Sequence, residues 1–109
     1  MLDSEFFGAP QISREMKAGY LKRRREEVTQ CRTALIEGGW DVLKRAGHRI
    51  KGNAETFGIE SLAPLGAKLE VCADNHESTE AEQLLNQLEK AVDDALDSVS
   101  DEAGKVSSS

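Results

Sequence analysis

Between residues 40 and 57 the apolar or small residues Trp40, Leu43, Gly47, Ile50, Ala54 and Phe57 recur three, four, three, four and three positions apart. A strand would need alternation at every second residue, whereas a helix of about 3.6 residues per turn gathers these positions onto one face. The stretch therefore reads as a helix with a buried stripe, and such a stripe needs other apolar faces to cover it. Asp41 in the first turn suits the positive end of the helix dipole. Gly58 supplies the expected stop.

Three further stretches repeat the pattern. From about Ser13 to Ile36, Met16, Tyr20, Val28, Cys31 and Leu35 recur at near-helical spacing, with a gap at Arg23, Arg24 and Arg25, which read as a solvated face. Gly38 and Gly39 end that segment. Leu62, Leu65, Gly66, Leu69, Cys72 and Ala73 form a third stripe, with Ser61 as the expected N-cap and Pro64 in the first turn, where a missing N–H does no harm. Asp74 to Ser78 reads as a polar loop, which makes His76 a solvated loop residue. A fourth helix opens at Ser78 or Thr79, where Thr79 and Glu82 fit a capping box. It carries Ala81, Leu84, Leu85, Leu88, Ala91, Val92, Ala95, Leu96 and Val99 on one face.

Four amphipathic segments with short connections predict an all-α protein, an antiparallel up-down four-helix bundle over residues 11–100. Residues 1–10 form a short N-terminal extension, whose Phe6 and Phe7 are expected to dock on the bundle end, and residues 101–109 a disordered C-terminal tail. A chain of 109 residues suits one such domain. With 39% hydrophobic but only 5% aromatic residues, its core must be aliphatic. No apolar run approaches the length of about eighteen residues needed to span a membrane, and the N-terminus lacks the pattern of a signal peptide. A cytoplasmic, monomeric protein is the expectation. Cys31 and Cys72 each fall on an apolar stripe and read as buried free thiols. No paired-cysteine or paired-histidine spacing suggests a metal site.

The net charge of −6 argues against a general nucleic-acid binder. The distribution is uneven. Residues 41–51 hold four bases, Lys44, Arg45, Arg49 and Lys51, against one acid, while residues 71–102 hold ten acids against Lys90 alone. A basic patch on an acidic chain invites a local reason, although solvated helix positions are often basic.

His48 lies in that patch. It follows Gly47 by one residue, about 100° round the helix, so it stands at the edge of the buried stripe and should be exposed. Lys44, Arg45, Lys51 and Gly52 are its neighbours one turn away. Gly52 costs a helix interior about 1 kcal/mol relative to alanine, and nothing in the local pattern needs it. An absent side chain there clears the surface beside the imidazole. A lone surface histidine is ordinarily just solvated. Its alternative is chemical: a mostly neutral imidazole at pH 7 is a competent nucleophile. Lys51 and Arg45 would stabilise the charge of a captured phosphoryl group. No glycine-rich phosphate loop, Mg²⁺-binding carboxylate pair or acid–base pair accompanies it, so any chemistry at His48 must borrow its machinery from a partner.

The run His48-Arg49-Ile50-Lys51-Gly52-Asn53-Ala54, followed by Phe57-Gly58-Ile59, Leu62 and Leu69-Glu70, resembles the histidine-containing phosphotransfer (HPt) domain. Trp40 to Glu70 fits closely, and the helical layout extends the likeness from about Ile12 to Val99. The resemblance implies a phosphorelay carrier without kinase activity. His48 accepts phosphate from a receiver-domain aspartate and passes it to another, Lys51 supports the phosphate, and Gly58 shapes the following turn. Gly52, Lys44, Arg49, Asn53 and Glu55 border the partner's approach, and Asn53 is a candidate contact for the histidine or its phosphate. The implied partners are response-regulator receiver domains and a sensor (hybrid) histidine kinase. No cofactor or metal belongs to the chain itself, and Mg²⁺ is expected on the receiver. Gly47 stands where the family usually has alanine, a departure expected only to weaken the helix slightly. The alternatives are a phosphoacceptor domain of a chemotaxis-type kinase and a non-catalytic receiver-docking domain. Because no kinase domain follows in this sequence, a standalone carrier or an excised module is favoured.

Overall fold

A computed structural model describes the backbone of residues 12–108 and the side chains of residues 12–99. The N-terminal extension with Phe6 and Phe7, and the side chains of the expected tail, lie outside the described residues. Four helices follow in order, α1 (Arg14–Glu37), α2 (Trp40–Asn53), α3 (Leu62–Asn75) and α4 (Ser78–Ser108), with no strand among the described residues.

Each helix packs on two others: α1 on α2 and α4, and α3 on α2 and α4. Tyr20 and Glu27 on α1 meet Asn53 and Arg49 on α2. Lys44 and His48 on α2 meet Asp74 and Glu70 on α3, and Arg25 and Arg32 on α1 meet Asp93 and Glu89 on α4. In every set, residue numbers rise on one helix as they fall on the other. Leu21, Leu43, Ile50, Leu62, Leu69, Leu85, Leu88 and Val92 fill the centre, each essentially inaccessible to solvent. Full burial of such a side chain contributes roughly 1.5–3 kcal/mol. The core is aliphatic apart from Tyr20, which is 1% exposed, and both cysteines are buried free thiols.

The helix ends follow their capping chemistry. Ser13 accepts the Met16 N–H at 3.1 Å, and α1 closes at Gly38, whose φ of 76° is the left-handed conformation that glycine adopts without strain. Elsewhere the ends differ from expectation. Helix α2 stops at Asn53 rather than at Gly58, and residues 54–58 form tight turns that end at Gly58 with φ 76°. Ala54 and Ile59 remain buried, joined by an Ile59 N–H to Ala54 carbonyl bond of 2.9 Å. Phe57 leaves the helix yet still packs inward, stacked on Tyr20 at 4.4 Å. Ser61 is not a side-chain cap: its backbone is already helical. The Ile59 and Glu60 carbonyls instead accept the N–H groups of Leu62 and Ala63 at 3.0 Å, so those donors need no hydroxyl.

The expected polar loop is shorter than its composition suggests. Asp74 and Asn75 complete α3, and His76 turns the chain with φ 52° before α4 begins at Ser78. His76 is exposed but not simply solvated, because its ring stacks on Trp40 with centroids 5.0 Å apart. The gap in the first stripe also has an occupant. Arg24 is spaced four residues from both Tyr20 and Val28, so it falls on the buried face and is only 7% exposed. Its guanidinium lies 4.7 Å from the Tyr20 ring centroid. Met16, assigned to that stripe by spacing, is instead 49% exposed.

Candidate functional site

The outward face of α2 carries the site, and α1 and α3 brace that helix along its two edges. His48 is 70% exposed, as its place beside the buried stripe predicts. Its Nδ1 lies 3.1 Å from Oε2 of Glu70 on α3, while the Lys51 Nζ donates to Oε1 of the same carboxylate at 2.8 Å. The Lys51 hydrogen bond holds the Glu70 carboxyl below its ordinary value, with the His48 contact adding to it against some desolvation. An ionised carboxylate only accepts, so the hydrogen of the imidazole belongs on Nδ1. The lone pair is then left on Nε2.

The closeness of Glu70 has a backbone cause. A Cβ on Gly47 would stand 2.6 Å from the Gly66 carbonyl oxygen and 2.7 Å from the Glu70 nitrogen. A Cβ on Gly66 would stand 2.8 Å from both the Gly47 carbonyl oxygen and the Lys51 nitrogen. Two glycines thus let α2 and α3 touch backbone to backbone beside the His48–Glu70–Lys51 group. Gly47 is therefore a packing requirement and not the slight flaw that its departure from alanine suggests.

The remaining cations of the patch divide by direction. Lys44, Arg45, His48, Arg49 and Glu70 line one open cleft. Lys44 is bound to Asp74 on α3 at 2.8 Å, and that hydrogen bond raises the pKa of its ammonium group. Arg49 reaches the other way, to the carboxylate of Glu27 on α1. Arg45 stands exposed between them, with no ion pair among the described residues. Asn53 also faces α1, where its Oδ1 accepts the Tyr20 hydroxyl at 2.7 Å. That acceptor is engaged in helix packing and is turned away from the imidazole.

Gly52 is exposed, and a Cβ placed there would meet nothing within 4 Å. The residue therefore answers no packing need among the described residues. Glu55 is exposed in the turn after α2 and has no side-chain bond to the cluster among the described residues. No group of three or more His, Cys, Asp or Glu side chains is placed to hold a metal among the described residues.

Sequence reasoning alone misses the carboxylates that organise this patch: Glu70, Asp74 and Glu27. Glu70 is visible in the sequence only as the acid following Leu69 on the α3 stripe, and nothing in a single sequence sets α3 in register with α2. Comparison with protein families adds one finding: the Hpt domain model matches residues 15–101. Searches of curated proteins and of solved structures gave no significant match.

Proposed function

The chain belongs to the Hpt domain family, the histidine phosphotransfer carriers of phosphorelays, and on that premise we propose that His48 is its phosphoacceptor. The observation that carries this reading is the contact between an exposed imidazole and a carboxylate held in its ionised form.

In this reading the His48 Nε2 attacks the phosphorus of an aspartyl phosphate on a receiver domain. The new N–P bond forms as the acyl-phosphate P–O bond breaks, and the receiver's carboxylate leaves with the electron pair. The imidazole becomes a cation that keeps its hydrogen on Nδ1, where Glu70 accepts it. Transfer to a second receiver reverses these steps. Lys51, 45% exposed at its side chain, and Arg45 lie within reach of the roughly two negative charges of the phosphoryl group. The open surface over Gly52 admits the receiver, which brings the Mg²⁺ and the remaining catalytic groups. The opposed order of cross-helix pairs supports an antiparallel up-down bundle as the frame. A monomeric, cytoplasmic carrier served by a hybrid sensor kinase completes the proposal.

The test is direct. The chain is incubated with a labelled, phosphorylated receiver domain, and its bound label is followed. Acid-labile, base-stable phosphate on the wild-type chain, absent from His48→Gln, is the expected result. Label that persists in His48→Gln, or none on the wild type, overturns the assignment.

A further inference from the structure

Three cations at the edges of the cleft are paired, but the pairings are not electrically equal. Lys44 and Asp74 cancel, as do Lys51 and Glu70. Arg49 and Glu27 do not form a closed pair, because Glu27 has a second partner: the Arg24 Nε lies 2.9 Å from its Oε1. The triad of Arg24, Glu27 and Arg49 therefore carries one surplus positive charge. Of its two arginines, only Arg49 has access to the cleft. Arg24 is 7% exposed and lies over the Tyr20 ring, whereas the Arg49 side chain is 49% exposed and lines the same cleft as His48.

Glu27 is nearly as buried as Arg24, with its side chain 8% exposed. Burial pushes its carboxyl up, and Arg24 and then Arg49 oppose that push. A buried carboxylate deprived of its only cation would be strongly destabilised. Here Arg24 stays behind if Arg49 leaves, so Glu27 keeps a cation 2.9 Å away, although neither Arg24 Nε nor Glu27 Oε1 makes a hydrogen bond among the described residues. Lys44 and Lys51 face acids of another kind: Asp74 is half exposed to water, and Glu70 is already shared with His48. Arg49 can therefore leave while its buried acid still faces a permanent positive charge.

We propose that Glu27 is a positioning residue that parks Arg49 on the α1 side of α2, and that Arg49 turns into the cleft when His48 carries a phosphoryl group. This rests on the reading of His48 as phosphoacceptor. Glu27 touches neither the imidazole nor the phosphate, and acts only through the arginine it holds. Competition between Glu27 and the phosphoryl group for Arg49 then sets how strongly the chain retains phosphate against its receiver.

The equilibrium partition of label between a phosphorylated receiver and this chain tests the idea in wild type, Glu27→Gln, Arg49→Gln and the double variant. Glu27→Gln frees Arg49 and should shift the partition towards the chain by about threefold, the scale of an exposed ion pair. Arg49→Gln should shift it the other way by a similar factor, and adding Glu27→Gln to it should change little further. Equal shifts from Glu27→Gln with and without Arg49, or no shift in either single variant, overturn the positioning role. Thermal melts of all four proteins identify any variant that fails to fold, and in that event Glu27→Asp, which keeps the charge on a shorter stem, replaces Glu27→Gln. Failure of the wild type to take label on His48 defeats both this proposal and the assignment beneath it. Normal labelling with an unmoved partition defeats this proposal alone.

Discussion

Gly47 and Gly66 meet where α2 crosses α3, so close that a Cβ on either would come within 2.6–2.8 Å of the other's carbonyl oxygen. Real Cβ contacts are not that short, and the atoms in the way are backbone, which cannot swing aside. Gly47→Ala should therefore destabilise the protein by about 1–3 kcal/mol, more than offsetting its gain in helix propensity. Chemical denaturation of the variant measures this. An unchanged or raised midpoint would show that the two helices separate freely.

The opposite sign is expected four residues from His48. A Cβ at Gly52 meets nothing within 4 Å among the described residues, so Gly52→Ala should stabilise α2 by up to about 1 kcal/mol. Gly52→Gln, which projects further, should slow transfer from a receiver with little change in the melting temperature. Equal transfer rates for wild type and Gly52→Gln would mean that the receiver approaches from elsewhere.

Glu70 gives a pH signature. Its pKa is lowered in the fold from 4.5, chiefly by Lys51 and then by His48. The contribution is therefore complete above the unfolded value and is lost as pH falls through the lower folded value. Melts of wild type and Glu70→Gln should differ at pH 7 and converge as the pH drops below about 4.5. Glu70→Gln should also slow transfer at pH 7 on the order of tenfold, as loss of a histidine's orienting partner does elsewhere. A constant melting difference down to the lowest pH would remove the ion pair as its source.

Much of this site is legible in the amino-acid sequence, and most of the remainder is hidden for one reason. Periodicity assigns residues to faces, so the exposure of His48, the buried cysteines and the four helices all follow from it. It says nothing about the register of one helix against another. Glu70 and His48 lie 22 residues apart in sequence, and only the crossing at Gly47 and Gly66 brings them to 3.1 Å. Arg24 is hidden for another reason: its charge suggests solvent, although its spacing already places it on the buried stripe. The end of α2 falls four or five residues earlier than the pattern implies because Ala54 and Phe57 keep the stripe's spacing while packing from a turn.

Thiol chemistry offers an independent check on the core. Burial, assisted by Glu27, pushes the Cys31 thiol up to about 12, and burial also raises Cys72. At pH 8 the native chain should thus react negligibly with a thiol-specific disulfide reagent, because the thiolate is the reactive form. Both of its two cysteines should titrate on unfolding. Prompt reaction of one thiol in the native state would place that cysteine at the surface.

The carboxylate beneath the imidazole has a consequence for traffic through the proposed carrier. In the proposed transfer the Nδ1 hydrogen stays on the ring and bonded to Glu70 throughout, so the ring has no tautomer to change and no half-turn to make between loading and unloading. Arrival and departure use one nitrogen, one face and one posture. Such a station has no built-in one-way valve: net flow through it follows the relative loading of the two receivers it meets.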